Sequence, residues 1–317
     1  MKTTMQKMLA AILAVIMIAG VLAGCSGNGG SKTEAKTGKN STFAYLVDTT
    51  DLEKPTLDLS NASGQLKKVL DAGVLTIATS PDYPPAEFVT EDGKVFGSEM
   101  MLAKYVADCL GVDLAIETMD FSATLTAVST GKVDIAFSGY GWKADRAESY
   151  ELSTGYTGGD DINYHTLIVP AGQEDNYNEF TDFVGKHIMA QASSLQQMYV
   201  EDQIIALNPD GGTNLEFVAT LDQAVLSLAS GKCDAVAMDG STAEMYVEQS
   251  DGKFALSGLH FDLTMYGDYE GNVAAAKKGE TEFIAQINKC IDMAMEKGYY
   301  ENFYQEARKL AGIDDEE

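Results

Sequence analysis

Two periods of apolar residues alternate along the chain, one suited to strands and one to helices. Leu66 to Ala72 carries apolar residues at helical spacing, and the run Val74 to Ala78 reads as a strand. Ser80-Pro81-Asp82-Tyr83-Pro84-Pro85 predicts an irregular loop, because proline neither donates to a ladder nor continues a helix. Glu87 to Val89 and Val95-Phe96, around Glu91-Asp92-Gly93-Lys94, predict a hairpin. Then come a helix over 100–109 stopped by Gly111, a strand over 112–117, a helix over 121–130 and a strand over 133–137. The alternation restarts with strands over 187–191, 215–219 and 235–238 and helices over 194–207, 221–230 and 242–248. Tyr164 to Val169 and Leu259 to Tyr266 read as extended segments on either side of this second unit. A strand over 272–276 and helices over 280–296 and 299–311 complete the chain. Strands alternating with helices imply largely parallel sheets flanked by helices.

The pattern holds an internal repeat. Residues 125–136 read LTAVSTGKVDIA and residues 225–237 read VLSLASGKCDAVA, one hundred residues later. Each copy is a helix, a Gly-Lys turn, an Asp and a short strand. Beyond the strands the copies diverge into Ser138-Gly139-Tyr140-Gly141 with Arg146, and Met238-Asp239-Gly240-Ser241. The second unit is inserted into the first, so the chain crosses between two lobes twice. Ligands of open α/β sheets sit beyond the carboxyl ends of the strands, and two lobes facing each other there form a cleft that can close.

Composition adds compartment and partners. The 317 residues are 45% apolar, enough for two globular units. A net charge of −26 excludes a nucleic-acid face, which needs basic residues. Lys2 and Lys7, the apolar run Leu9 to Ala19 and then Leu22-Ala23-Gly24-Cys25 read as an export signal. Its small residues ending on cysteine resemble a bacterial lipoprotein signal, whose cleavage would leave Cys25 lipidated at the new N-terminus; an ordinary signal with a chance cysteine is the alternative. Losing Lys2 and Lys7 takes the charge from −26 to −28. Residues 26–41 carry no large apolar side chain and read as a flexible tether. Cys109, Cys233 and Cys290 remain, an odd number, read as small buried residues with a Cys109–Cys290 bridge as the alternative. His165, His187 and His260 lack metal-ligand spacing, and no metal or cofactor is expected.

Four stretches in order, VLTIATSPDYPPAEF, ETMDFSATL, GKVDIAFSGYGWKADR and GKCDAVAMD, resemble the extracellular solute-binding proteins of ABC transporters, in the polar amino acid family. The resemblance implies an α/β, two-lobed, type II periplasmic-binding-protein-like fold, each lobe a mixed, mostly parallel sheet flanked by helices, with a two-strand hinge. The corresponding boundaries are a signal peptide at 1–24, a tether at 25–60, lobe 1 at 61–164 and 267–317, and lobe 2 at 165–266. It further implies a monomer on the extracellular face of the cytoplasmic membrane, lipid-anchored at Cys25, passing an amino acid to a membrane permease.

Site residues follow position by position. Arg146 stands where the family holds the ligand's α-carboxylate, a role a forked guanidinium suits; a surface arginine is the alternative. Asp239 stands where the family takes the α-ammonium, and could equally cap the following helix. Tyr83 and Phe121 match pocket aromatics, or pack in their own lobe. Ser138, Gly139 and the backbone of Gly141 lie at a strand end. Ser194 and Leu195 open a helix, Ser194 as anion contact or plain cap.

This chain departs from the family pattern at Gly141, where a hydroxyl is usual, and at Ala86, Ser98, Trp142, Lys143 and Ser193. Neutral Ser80 and Met101 favour a neutral ligand side chain over a basic one, unless Asp160 and Asp161 face inward. Two other functions compete: a dehydratase-like enzyme on the same scaffold, with Glu87 and Asp239 as the nameable acids, and a sensory module reporting a solute to a partner.

Overall fold

The computed structural model describes residues 48–158, 164–266 and 271–313. The leader, Cys25, the stretch 26–41 and the acids Asp160 and Asp161 lie outside the described residues.

The first lobe runs α1 (Gly64–Ala72), β1 (Val74–Thr79), β2 (Asp82–Tyr83), β3 (Glu87–Val89), β4 (Val95–Phe96), α2 (Ser98–Leu110), β5 (Asp113–Thr118), α3 (Phe121–Ser129), β6 (Ile135–Gly141), α4 (Ala144–Ser149) and β7 (Tyr150–Leu152). The second runs β8 (His165–Pro170), β9 (His187–Gln191), α5 (Leu195–Val200), β10 (Asn214–Val218), α6 (Leu221–Ala229), β11 (Ala235–Asp239), α7 (Gly240–Glu248) and β12 (Phe254–His260). The chain then returns to the first with β13 (Asn272–Lys277), α8 (Thr281–Glu296) and α9 (Tyr299–Ala311).

The two main sheets share one plan. The first is ordered β5-β1-β6-β13-β7 and the second β10-β9-β11-β8-β12. In each, the first three strands are parallel and the last two pairings antiparallel. A small sheet, β2-β3-β4, carries the proline loop onto the cleft side.

The sequence repeat has a mechanical meaning. Gly131 and Gly231 end α3 and α6 at φ 72° and 70°, a left-handed conformation that costs glycine least. Three residues on, each aspartate clamps the second strand in the order of its own sheet, β1 in one lobe and β9 in the other. Asp134 donates its amide to the Thr76 carbonyl and accepts the Thr76 amide on its carboxylate, both at 2.8 Å. Asp234 does the same with His187, both at 2.7 Å. The repeated Asp therefore fixes where β6 and β11 start, and so where their functional ends emerge.

Both lobes have apolar cores, one around Tyr105, Phe137 and Phe283 and another around Phe183 and Ile188. At the hinge, Tyr156 and Asn272 exchange backbone hydrogen bonds of 2.8 Å, tying the two crossing segments together. Several details differ from the sequence reading. Residues 48–60, assigned to the tether, lie on the first lobe: Leu52, Leu57 and Leu59 pack on its core, and the Tyr105 hydroxyl donates to the Glu53 carbonyl at 2.6 Å. Those leucines give the segment apolar area to bury, which residues 26–41 lack. The helix expected over 194–207 is α5 followed by a wide turn over Glu201–Ile205, which brings buried Gln203 against the backbone of Asp262. The extended stretch expected over 259–266 ends at His260 and gives way to a 3-10 turn at Leu263–Tyr266. The loop after β6 contains α4 and β7, too short for a periodic signal.

Candidate functional site

The carboxyl ends of β1, β6, β9 and β11 face one another across the cleft, and hydrogen bonds already cross it. Asp82 of the first lobe accepts from the Gln191 amide side chain at 2.9 Å and the Leu221 backbone amide at 2.8 Å. Thr242 of the second lobe donates its hydroxyl to the Pro84 carbonyl at 2.9 Å. Ser241 and Tyr304 hydroxyls meet at 3.2 Å. Tyr83, from the first lobe, packs on the second lobe's Met189–Val236 cluster as well as over Gly139 of its own lobe.

Arg146 sits on α4 and is only 3% exposed. One Nη donates to the Gly141 carbonyl, and the other reaches across the cleft to the Ser193 carbonyl at 3.2 Å. Its Nε has no hydrogen-bond partner. The guanidinium lies 5.0 Å from the centre of the Tyr140 ring, which meets Phe121 at 5.2 Å. Burial lowers the Arg146 pKa from its usual value, yet arginine remains charged at any ordinary pH. Ser193 holds φ 67°, so the family's usual glycine is replaced by a residue kept in glycine's conformation. That geometry turns its carbonyl toward Arg146.

Tyr83, Phe121, Ser138, Gly139, Gly141, Arg146, Ser194 and Leu195 line one cavity. Gly139 is required there: at φ 60°, a Cβ would lie 2.6 Å from the Tyr83 ring. Ser194 accepts the Gln197 amide at 3.1 Å, so it caps α5 while also forming cavity wall. Asp239 lies in an adjoining cavity with Tyr156, Ser241 and Tyr304. The two cavities share Tyr83, His165 and Asn272. Asp239 also caps α7, accepting the Thr242 amide on Oδ1 at 3.2 Å, and its Oδ2 has no hydrogen-bond partner. Burial raises its pKa to about 6, with hydrogen bonds from Thr242, Tyr83 and Ser241 pulling the other way.

His165, Glu99 and Asn272 escaped the sequence reading as site residues, whereas Glu87 is already named there as a candidate acid. His165 lines both cavities; its Nδ1 pairs with Gln196 at 2.9 Å, and burial lowers its pKa to about 4, so it is neutral at physiological pH. Glu87 and Glu99 are fully buried behind Gly139. Glu99 accepts the Gly139 amide and the Asn272 side chain, each at 3.0 Å, and burial raises its pKa to about 7. Glu87 has neither carboxyl oxygen in a hydrogen bond, and burial, then Glu99, push its pKa well up. Hinge strand ends carry His165 and Asn272, a position the sequence repeat does not mark. Among the described residues there is no cluster of acids, histidines and cysteines able to hold a metal, and no helix is long and apolar enough to cross a membrane.

Comparison with known proteins agrees with this architecture. The Arginine-binding protein ArgT of Corynebacterium glutamicum is 28% identical over 199 residues, spanning 62% of this chain and 63% of that protein, a little under two thirds of its length. A crystallised amino acid ABC transporter substrate-binding protein of Streptococcus pneumoniae, bound to L-arginine, superposes with a TM-score of 0.69 at 27% identity, covering 80% of this chain and 100% of that one. A shorter match, 29% identical over 98 residues and covering 31% of this chain and 37% of the relative, is the Cyclohexadienyl dehydratase of Pseudomonas aeruginosa. Residues 75–307, most of the chain, match the family described as bacterial extracellular solute-binding proteins, family 3, and the chain belongs to that family.

Proposed function

We propose that this protein captures an amino acid, or a closely related zwitterion, between its lobes and delivers it to the permease of an ABC transporter. Arg146 binds the α-carboxylate and Asp239 the α-ammonium. The observation that carries this reading is the pairing of a buried first-lobe guanidinium with a buried second-lobe carboxylate across one cleft, each with an unpartnered polar atom. A zwitterion touching both favours the closed arrangement over the open one, because each charge belongs to a different lobe. Tyr83 and Phe121 flank the ligand, with Ser138, Gly139, Gly141, Ser194 and Leu195 supplying wall and backbone groups.

The chain acts from the extracellular face of the membrane as a monomer, held by lipid on Cys25, its acidic body kept near a surface that charge alone would not favour. For the ligand side chain, Ser80 and Met101 offer no acid, and Asp82, bonded to Ser80 at 2.7 Å, is already engaged by the second lobe. A neutral side chain therefore suits the site. Arginine, bound by the streptococcal neighbour, is the sharpest competitor.

A thermal-shift panel of amino acids, including arginine, histidine, cystine and neutral members, tests the proposal. One or a few should raise the melting temperature in proportion to the logarithm of concentration, and Arg146→Ala should abolish the shift. A full shift in that variant rejects the carboxylate assignment. Binding without turnover separates capture from the dehydratase-like alternative.

A further inference from the structure

The first lobe is assembled from two separated stretches of chain, with the whole second lobe between them. Helix α2 comes from the earlier stretch and α8 from the later, and they pack in one apolar cluster. Cys109 lies near the end of α2 and Cys290 in the middle of α8; Cys290 is fully buried in that cluster and Cys109 packs against it. The two thiol side chains interact with each other where α2 packs on α8. The Cys290 thiol also donates to the Gln286 carbonyl of its own helix at 3.3 Å. Cys109 is half-buried and so reachable from solvent, whereas Cys233 lies buried in the other lobe.

We propose that Cys109 and Cys290 join in a disulfide in the exported protein, stapling α2 to α8 and so closing the discontinuous first lobe on itself. Members of an extracellular family meet oxidising surroundings, where touching thiols persist as disulfides. The chemistry of the two sulfurs divides the work. The neighbouring Cys290 side chain holds the Cys109 thiol below its usual range, aided by Tyr105 and Lys54 and opposed by burial. The Cys109 side chain and burial push the Cys290 thiol up. The solvent-facing sulfur therefore ionises more readily than its partner and is the nucleophile.

Cys109 attacks a small disulfide, R–S–S–R; that bond breaks, one RS⁻ leaves, and a mixed disulfide forms on Cys109. Cys290 gives its proton to the released thiolate, attacks the Cys109 sulfur and expels the second RS⁻. Two protein thiols lose two electrons, and one small disulfide becomes two thiols. The ring closed from residue 109 to residue 290 contains both hinge crossings and all of the second lobe. In the chain-entropy account, so long a ring constrains the unfolded state strongly.

The full-length chain, purified reduced and incubated with oxidised glutathione, is then denatured, alkylated with N-ethylmaleimide and mapped by mass spectrometry. Cys109 and Cys290 should be recovered as one cross-linked peptide pair, two hydrogens lighter than the sum of its parts, with maleimide on Cys233. Maleimide on both Cys109 and Cys290, or glutathione persisting on Cys109, overturns the proposal. C290S should trap glutathione on Cys109, and C109S should leave Cys290 unreacted in the native chain; equal reactivity at Cys290 overturns the assigned order. The oxidised chain should melt on the order of 5 °C above the reduced one. Equal midpoints overturn the stapling role.

Discussion

The carboxylate of Asp82, at the start of the first lobe's small sheet, accepts a 2.8 Å hydrogen bond from the backbone amide of Leu221, the first residue of α6 in the second lobe. That amide is one of the donors a helix leaves unpaired at its start, so one lobe completes a helix end of the other. Gln191 adds a second bond to the same oxygen at 2.9 Å. The pair can form only when the lobes are face to face, which makes Asp82 a latch. Asp82→Ala should shift the ligand-free protein toward the open arrangement and weaken ligand binding about tenfold, since charged hydrogen bonds contribute roughly 1.5–3 kcal/mol and an open protein must first close. Small-angle scattering and calorimetric titration read the two effects. Unchanged scattering together with unchanged affinity would remove the latch.

The latch also marks where the sequence stops being legible. Strand and helix order, the insertion of one unit in the other and the equivalence of the Gly-Lys-x-Asp turns are local patterns, and local patterns were readable. Eight of the nine ligand-site positions line one cavity and Asp239 lines the next, because motif residues at strand ends are delivered there by the strands themselves. Asp82 lies in the proline loop of the stretch VLTIATSPDYPPAEF but carries no assigned role there, and Gln191, His165 and Asn272 belong to no motif. Their meaning depends on which strand end faces which across the cleft, a relationship set by the closing of two lobes. Residues 48–60 were misread for a related reason: three leucines scattered among polar residues show no period, and their packing partners are far along the chain.

Asp134 and Asp234 give a symmetric prediction. Both clamp a strand, but buried Asp134 also accepts from the Gln65 side chain and lies 3.4 Å from Lys68. Asp134→Ala and Asp234→Ala should each destabilise the protein by roughly 1–3 kcal/mol, with Asp134 the costlier, because each leaves a backbone amide without its acceptor. Urea unfolding measures this. A larger loss at Asp234 would mean that the extra contacts of Asp134 carry no weight.

Gly139→Ala isolates the close approach under Tyr83. The new methyl would lie 2.6 Å from the Tyr83 ring and sit at φ 60°. The strain should cost about 1–3 kcal/mol of stability, and displacing Tyr83 should weaken ligand binding as well. If affinity stays at the wild-type level while stability falls, Tyr83 is a structural aromatic and not a wall of the ligand site.

Acidity should move stability and binding in opposite directions. Burial raises Asp239 from 3.8 to about 6 and Glu99 from 4.5 to about 7. A carboxyl whose folded pKa lies above its unfolded value binds protons more tightly in the folded state. Its stabilising contribution is complete below about pH 4 and is lost as pH rises through about 6 to 7, at about 1.4 kcal/mol per unit of pKa difference. The ligand-free protein should therefore melt higher at about pH 5 than at about pH 8. The ligand's ammonium requires ionised Asp239, so affinity should be greatest above about pH 7 and fall by up to about tenfold per unit below about pH 6. Asp239→Asn should bind more weakly at neutral pH and lose most of this acid-side decline. A decline of wild-type depth in Asp239→Asn would assign the titration to the Glu87–Glu99 pair and detach the ammonium from Asp239.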